Sequence, residues 1–307
     1  MYRILCIGSL FLLQSLAAQK NFVSITIDDV PNIQLLEKTN FSSELLRKID
    51  SMQLPVAIFI NEGFLYQNKN YHQNYNQLVQ WITNKNVTSG NHTYGHTAYE
   101  QYSSFTEDII KGAVITKEVL AQQEDSLKYF RFPYNNLGKD SISQKKMAHF
   151  LSRKGYTITP FTIESEDWLF NTLYENALQK KDFKNARYIG DTYLSYTLNV
   201  FEYHQKLSQD QYKRNIRHIF LCHDNVLNTD YLPKIIKHLQ SKEYRFISIK
   251  EALEDPVYSS KNTYYKKWGI SWMYRWIQDP KKRSKLLKAA PDNKEMNKMY
   301  NQLLESH

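Results

Sequence analysis

The chain runs to 307 residues, enough to bury a substantial core as one large domain or two small ones. Its 42% hydrophobic and 23% charged residues are the proportions of an ordinary globular protein and of no fibrous or disordered class. The formal net charge of +9 suits an anionic glycan or a membrane surface, but no nucleic-acid-binding motif accompanies it. An aromatic fraction of 14%, with 23 Tyr, suits sugar recognition, because a ring face packs on a pyranose while the hydroxyl bonds outward. A compositional bias toward Asn, Lys and Tyr would give the same figure.

The chain opens with MYRILCIGSLFLLQSLAA (1–18), one early Arg3 followed by an apolar run that ends in small residues. This is the pattern of a secretory signal peptide cleaved near Ala17-Ala18, so the mature protein is expected in the periplasm or outside the cell. Gly8, Ser9 and Gln14 interrupt the run too often for a membrane span, and no later stretch is apolar enough to be one. With Cys6 removed, Cys222 is the lone cysteine and no intrachain disulfide is possible.

Short apolar or β-branched runs then recur as predicted strands at 22–27, 55–60, 86–91, 128–132, 156–163, 217–223 and 244–249. Segments of helical periodicity separate them at 42–52, 106–122, 141–154, 190–215 and 231–241, the second opening on Thr106 with Glu107 and Asp108 behind it. Seven strands alternating with helices argue for a parallel α/β architecture, a closed or nearly closed (β/α) barrel. Residues 19–254 are expected to form this domain. Past it, 255–307 is aromatic and basic, with eleven Lys/Arg against five Asp/Glu, and reads as an appendage packed through its tryptophans. Its basic face could attract an anionic glycan or a membrane surface, but the favoured reading of that charge is a solvated helical tail.

In a parallel barrel, residues just past the C-terminal strand ends converge on one mouth. The first strand ends in Asp28-Asp29, and both reach one site only if the strand is ending there. The third leads into His92 and His96, the fourth into Arg131 and Tyr134, and the fifth into Asp167 and Trp168. The sixth carries Leu221 and His223 on one face, with Cys222 turned away. Each feature has a bland reading alone: a surface pair, a turn, a satisfied histidine. Five of them in order at strand ends are improbable by accident. Two imidazoles and a carboxylate make a three-ligand divalent metal site with open positions. A second carboxylate held by an Arg can take a proton from water, and a histidine oriented by an Asp can protonate a leaving group. That is the equipment of a metal-assisted hydrolase acting on an amide or ester.

The ordered motifs TIDD, HTYGH, RFPY, SEDW and LCH resemble those of the NodB-homology polysaccharide deacetylases, carbohydrate esterase family 4, over roughly residues 21 to 254. The resemblance implies a distorted (β/α) barrel and, residue by residue, the following roles. Asp28 is the general base, tethered by Arg131. Asp29, His92 and His96 are the metal ligands, with zinc the expected ion, and Thr93 braces the loop between the histidines. The backbone amide of Tyr134 helps hold the oxyanion, and Trp168 and Leu221 enclose the acetyl methyl group. His223 is the general acid, tuned by Asp167. The implied substrate is an acetylated polysaccharide or oligosaccharide, and the implied reaction is hydrolysis of its N-acetyl groups. O-deacetylation of a glycan such as acetylated xylan, hydrolysis of small cyclic amides, and an inactive glycan-binding relative are the alternatives. The chain departs from the family pattern at Val30-Pro31, where a Gly is usual, and at Glu164, where Asp is common.

Overall fold

The computed structural model describes residues 20–267 and 269–306, so the expected signal peptide lies outside the described residues. Eight strands form one sheet: β1 (Asn21–Val30), β2 (Val56–Ile60), β3 (Val87–Asn91), β4 (Tyr129–Phe130), β5 (Thr157–Ile158), β6 (Ile163–Glu164), β7 (Arg217–His223) and β8 (Tyr244–Phe246). The order is β5-β4-β3-β2-β1-β7-β6, with every neighbour parallel.

The predicted strand at 156–163 is in fact β5 and β6, which lie at opposite ends of that path. Seven strands laid flat would put the two edges roughly 29 Å apart at ~4.8 Å per interval. The five steps from Ile158 to Ile163 span at most about 18 Å. The sheet must therefore curl, and it forms a distorted barrel whose seam is bridged by Thr159, Pro160, Phe161 and Thr162. Pro160 divides the run, because it donates no ladder hydrogen bond and restricts Thr159 before it. The predicted strand at 244–249 is shorter than expected and stands off the seven-strand path, pairing with β1 only at Asn21, Phe22 and Val23.

Along β1 the side chains alternate. Val23, Ile25 and Ile27 join the main core between sheet and helices, while Ser24, Thr26 and Asp28 form the buried polar face. A second apolar cluster holds Ala57, Phe59, Phe161, Ile219 and Leu221. Cys222 faces the main core, as its alternation with Leu221 and His223 requires.

Helices at Tyr71–Thr83 and Asp167–Gln179 have no counterpart among the predicted ones. In the first, the buried stripe includes Asn74 and Gln77, which hides its apolar period. The predicted helix at 106–122 is two helices, Tyr102–Lys111 and Val114–Ala121, so Thr106 sits a turn inside rather than at a cap. Residues 255–306 pack against the barrel rather than trailing from it. Met273, Trp276 and Ile277 are buried with Leu207 and Ile216, and Met296 joins the main core. At roughly 1.5–3 kcal/mol per buried large apolar side chain, four such residues hold the segment firmly. Among the described residues no helix is long and apolar enough to cross a membrane.

Candidate active site

The site begins with a break in the pleat of β1. Asp29 adopts a left-handed backbone (φ 63°), and the register with β2 shifts between Ile27 and Val30. The bulge cancels the strand alternation, so consecutive aspartates face one mouth. Asp28 is buried, and Arg131 Nη1 donates to its Oδ1 at 3.1 Å. The same Nη1 donates to Thr26 Oγ1 at 2.7 Å, Nε to Thr159 O at 3.3 Å and Nη2 to Pro160 O at 3.2 Å. One guanidinium therefore fixes the Asp28 carboxylate and closes the barrel seam. Burial pushes Asp28 up to about 7, against the opposing pull of Arg131 and His223.

His92 and His96 leave β3 in a tight loop. His92 Nδ1 lies 2.9 Å from Arg131 O, and since a carbonyl only accepts, Nδ1 carries the proton and Nε2 keeps its lone pair. That Nε2 is 3.7 Å from Asp29 Oδ1, and His96 Nε2 is 3.3 Å from the same oxygen. Burial lowers both imidazole pKa values, which keeps the rings neutral. Asp29 Oδ1 is buried with no hydrogen-bond donor, an expensive state unless a cation shares it. Ligand atoms of Asp29, His92 and His96 all lie within 4.8 Å of one another, so the three residues fit a divalent metal ion.

The loop between the histidines is not braced by the Thr93 hydroxyl, which has no partner. Two asparagines do this work. Asn61 Nδ2 donates to His92 O at 2.5 Å and to Thr93 O at 3.1 Å, and Asn91 Oδ1 accepts from Thr93 N at 2.7 Å. Thr93 is left-handed (φ 69°), so its backbone rather than its side chain needs the support. Sequence reading missed both residues, and their one available signal was position, each at the end of a predicted strand.

Across the mouth, β1 and β7 pair Asp28 with His223 in register. Asp167 opens the helix Asp167–Gln179 and is fully buried. Its Oδ1 lies 2.7 Å from His223 Nδ1, while Oδ2 accepts from His223 N at 2.8 Å, Asn225 Nδ2 at 3.0 Å and Asn228 Nδ2 at 2.5 Å. Burial alone would push His223 down, but the Asp167 carboxylate outweighs it and raises the imidazole pKa. The same contact holds Asp167 below the carboxylate range despite its burial. Asn225 and Asn228, two and five residues past His223, are further site residues that sequence reading did not single out.

Tyr134 is left-handed (φ 56°), and its ring meets His96 edge-on at 4.6 Å. Leu221 is buried in the second cluster, and Trp168 is half exposed, edge-on to Tyr300 at 5.6 Å. Glu164, the departure in the fourth motif, is half-buried; its Oε1 accepts from Glu166 N at 2.5 Å, and desolvation pushes its carboxyl up to about 8.

Residues 16–158, just under half of the chain, match the family model described as polysaccharide deacetylase. That match holds the first three motifs, while Asp167, Trp168, Leu221 and His223 lie beyond it. No curated protein matches the chain. Among solved structures, a mutant of a Bacillus anthracis CE4-family pseudoenzyme with restored activity is similar, at 18% identity over 76% of this chain and 68% of that one, with a TM-score of 0.50. A Streptococcus mutans CE4 esterase is similar at 16% identity over 75% of this chain and 86% of that one, with a TM-score of 0.49. At 18% identity the likeness to the first of these is one of fold.

Proposed function

We propose that this chain, a relative of the NodB-homology polysaccharide deacetylases, is an exported, metal-dependent hydrolase that removes N-acetyl groups from an amino-sugar glycan. The observation that carries the reading is a polarised pair across one mouth. A buried carboxylate tethered by Arg131 faces, in strand register, an imidazole that Asp167 keeps protonated, and a three-ligand metal set lies beside them.

Asp29, His92 and His96 would hold the ion, which we take to be zinc. When bound, it supplies Lewis-acid polarisation of the acyl carbonyl and makes water there more acidic. Asp28 Oδ1 is engaged by Arg131, so Oδ2 is the oxygen left to take the proton of the attacking water. The Tyr134 amide would steady the oxyanion, and Trp168 and Leu221 would flank the acyl methyl. His223 Nε2 then gives its proton to the departing nitrogen. An amine leaves only once protonated, whereas a sugar oxygen leaves more readily, so an imidazole held protonated supports the amide reading over the ester one. None of Asp28, Asp29, His92, His96 and His223 is missing, which argues against an inactive glycan-binding relative.

The test is the metal content of the purified mature protein, with acetate release from N-acetylglucosamine oligomers before and after chelation. One bound divalent ion and chelator-sensitive release are expected. Release from acetylated xylan alone would make the enzyme an O-deacetylase. Absence of metal under every loading condition would overturn the hydrolase reading.

A further inference from the structure

Residues beyond 254 lie outside the family match and outside the resemblance, yet they reach three active-site segments. At the barrel seam, Trp272 N donates to Phe161 O at 3.0 Å and Ser271 Oγ to Thr162 O at 2.7 Å. At the loop after β4, Asn135 Nδ2 donates to Ile270 O at 3.0 Å, and Arg275 Nη2 returns a bond to Asn135 O at 3.1 Å. Gly269 lies so close that a Cβ there would fall 2.2 Å from that of Asn135. At the start of the helix bearing Asp167 and Trp168, Asn293 Nδ2 donates to Glu166 Oε2 at 2.6 Å. Tyr196 OH lies 3.5 Å from both Glu166 Oε2 and Pro291 O, with one proton to donate to either, and Tyr300 meets Trp168 edge-on.

Two of these attachments fall on left-handed, non-glycine backbone. Tyr134 and Asn135 have φ of 56° and 48°, and Glu166 has φ of 53°. Such residues hold that conformation only where their surroundings over-determine it. Glu166 has no side-chain cap bond to its own helix, so the contacts made by its carboxylate come from elsewhere, and Asn293 is among them. Fully buried Arg275 has no carboxylate partner among the described residues and spends its hydrogen bonds on Ile270 O, Tyr264 O and Asn135 O. A buried cation committed to carbonyls in this way fixes backbone.

We propose that the segment 255–306 is a working part of this active site: Asn293 and Arg275 are positioning residues that hold the left-handed turns at Glu166 and at Tyr134–Asn135. The proposal rests on the hydrolase reading above for its catalytic consequence, and on the geometry alone for the clamp. The Glu166 turn sets where Asp167 and Trp168 enter the mouth, and the Asn135 turn sets where the Tyr134 amide points.

The test uses the full chain with Asn293→Ala and, separately, Arg275→Lys, which keeps a cation but cannot reach Ile270 O, Tyr264 O and Asn135 O together. Amide hydrogen exchange is followed at Glu166, Leu169 and Phe170 in the first variant and at Asn135 and Asn136 in the second, with the amides of β1 and β2 as reference. Loss of a hydrogen bond to a charged group predicts about tenfold faster exchange at the Glu166 turn, with the reference amides unchanged. Turnover of chitopentaose should fall about tenfold in kcat, with KM and bound metal close to those of the unaltered protein. Unchanged exchange at the turns, or equal acceleration in β1 and β2, would overturn the clamp. Faster local exchange with unchanged kcat would overturn its catalytic role. Should the unaltered protein release no acetate from chitopentaose or acetylated xylan, the hydrolase reading fails, and the exchange data still decide the clamp.

Discussion

His92 and His223 stand on opposite sides of one mouth, both at the ends of parallel strands and both using Nδ1 to hold the ring. Their partners differ. His92 Nδ1 faces a peptide carbonyl, that of Arg131, whereas His223 Nδ1 faces the Asp167 carboxylate. Burial pushes both rings toward neutrality. A carbonyl leaves that outcome in place, and His92 stays low with its Nε2 lone pair free for a cation. A buried carboxylate reverses it, and His223 stays charged and ready to donate. In the proposed reaction, one residue type thus suits a ligand or an acid according to a single hydrogen-bond partner.

The strongest way to break this comparison is to remove a member of each function on the metal side. His96→Ala should lose metal and turnover together, while Asp28→Asn should keep the metal and lose ~10²–10⁴-fold in kcat, the usual weight of a general base. Metal titration and initial rates on the same preparations check both. Near-normal turnover in Asp28→Asn would remove the assigned base.

Asp167→Asn converts the partner of His223 into a neutral group like that of His92. We expect kcat to fall on the order of 10²-fold, with metal content unchanged. The sign of the pH effect follows from the raised folded pKa of His223. The protonated acid persists as pH rises and is lost only above that raised value, so in Asp167→Asn the alkaline loss of kcat moves to lower pH. A pH–rate profile with an unmoved alkaline limb would disconnect His223 from the acid role.

His204 and His218 sharpen the comparison as a third case, buried with no carboxylate at hydrogen-bond distance. His204 Nδ1 meets Val200 O and His218 Nδ1 meets the Thr162 hydroxyl, and burial pushes their pKa values down to about 4 and about 3. Below the ordinary value of 6.5 the unfolded chain binds a proton at each, and the folded chain does not until those lower values. Stability contributed here is therefore complete above about pH 7 and falls as the pH drops toward 4, by on the order of 2 kcal/mol for each histidine by pH 5. Denaturant unfolding at pH 7 and pH 5 measures this, and replacing either histidine with Gln should flatten the slope.

The smallest expected effect is that of Asn61→Ala. It leaves every ligand in place and removes the bonds to His92 O and Thr93 O, so metal affinity should weaken about tenfold, the scale of an outer-shell change. Competition with a chelating dye reads it directly. Equal affinity would mean that Asn91 alone holds the loop.

The parallel barrel was legible because strand-length apolar runs and turn residues are local signals. The order of chemistry-bearing residues at strand ends was legible because a parallel barrel collects those ends at one mouth. The helix Tyr71–Thr83 was not, since buried Asn74 and Gln77 carry part of its inner stripe. Nor were Asn61, Asn91, Asn225 and Asn228, whose side chains act on backbone or on a neighbour brought close only by folding.

Tertiary structure alone decided the rest. The run 156–163 reads as one strand, and only curling of the sheet places its halves on opposite edges of the seam. Consecutive aspartates normally face apart, and only the left-handed turn at Asp29 brings both to the mouth. The residue types at the site and their order are properties of the chain. The protonation states of its histidines are not, because these depend on burial and on one hydrogen-bond partner, each set by segments distant in sequence.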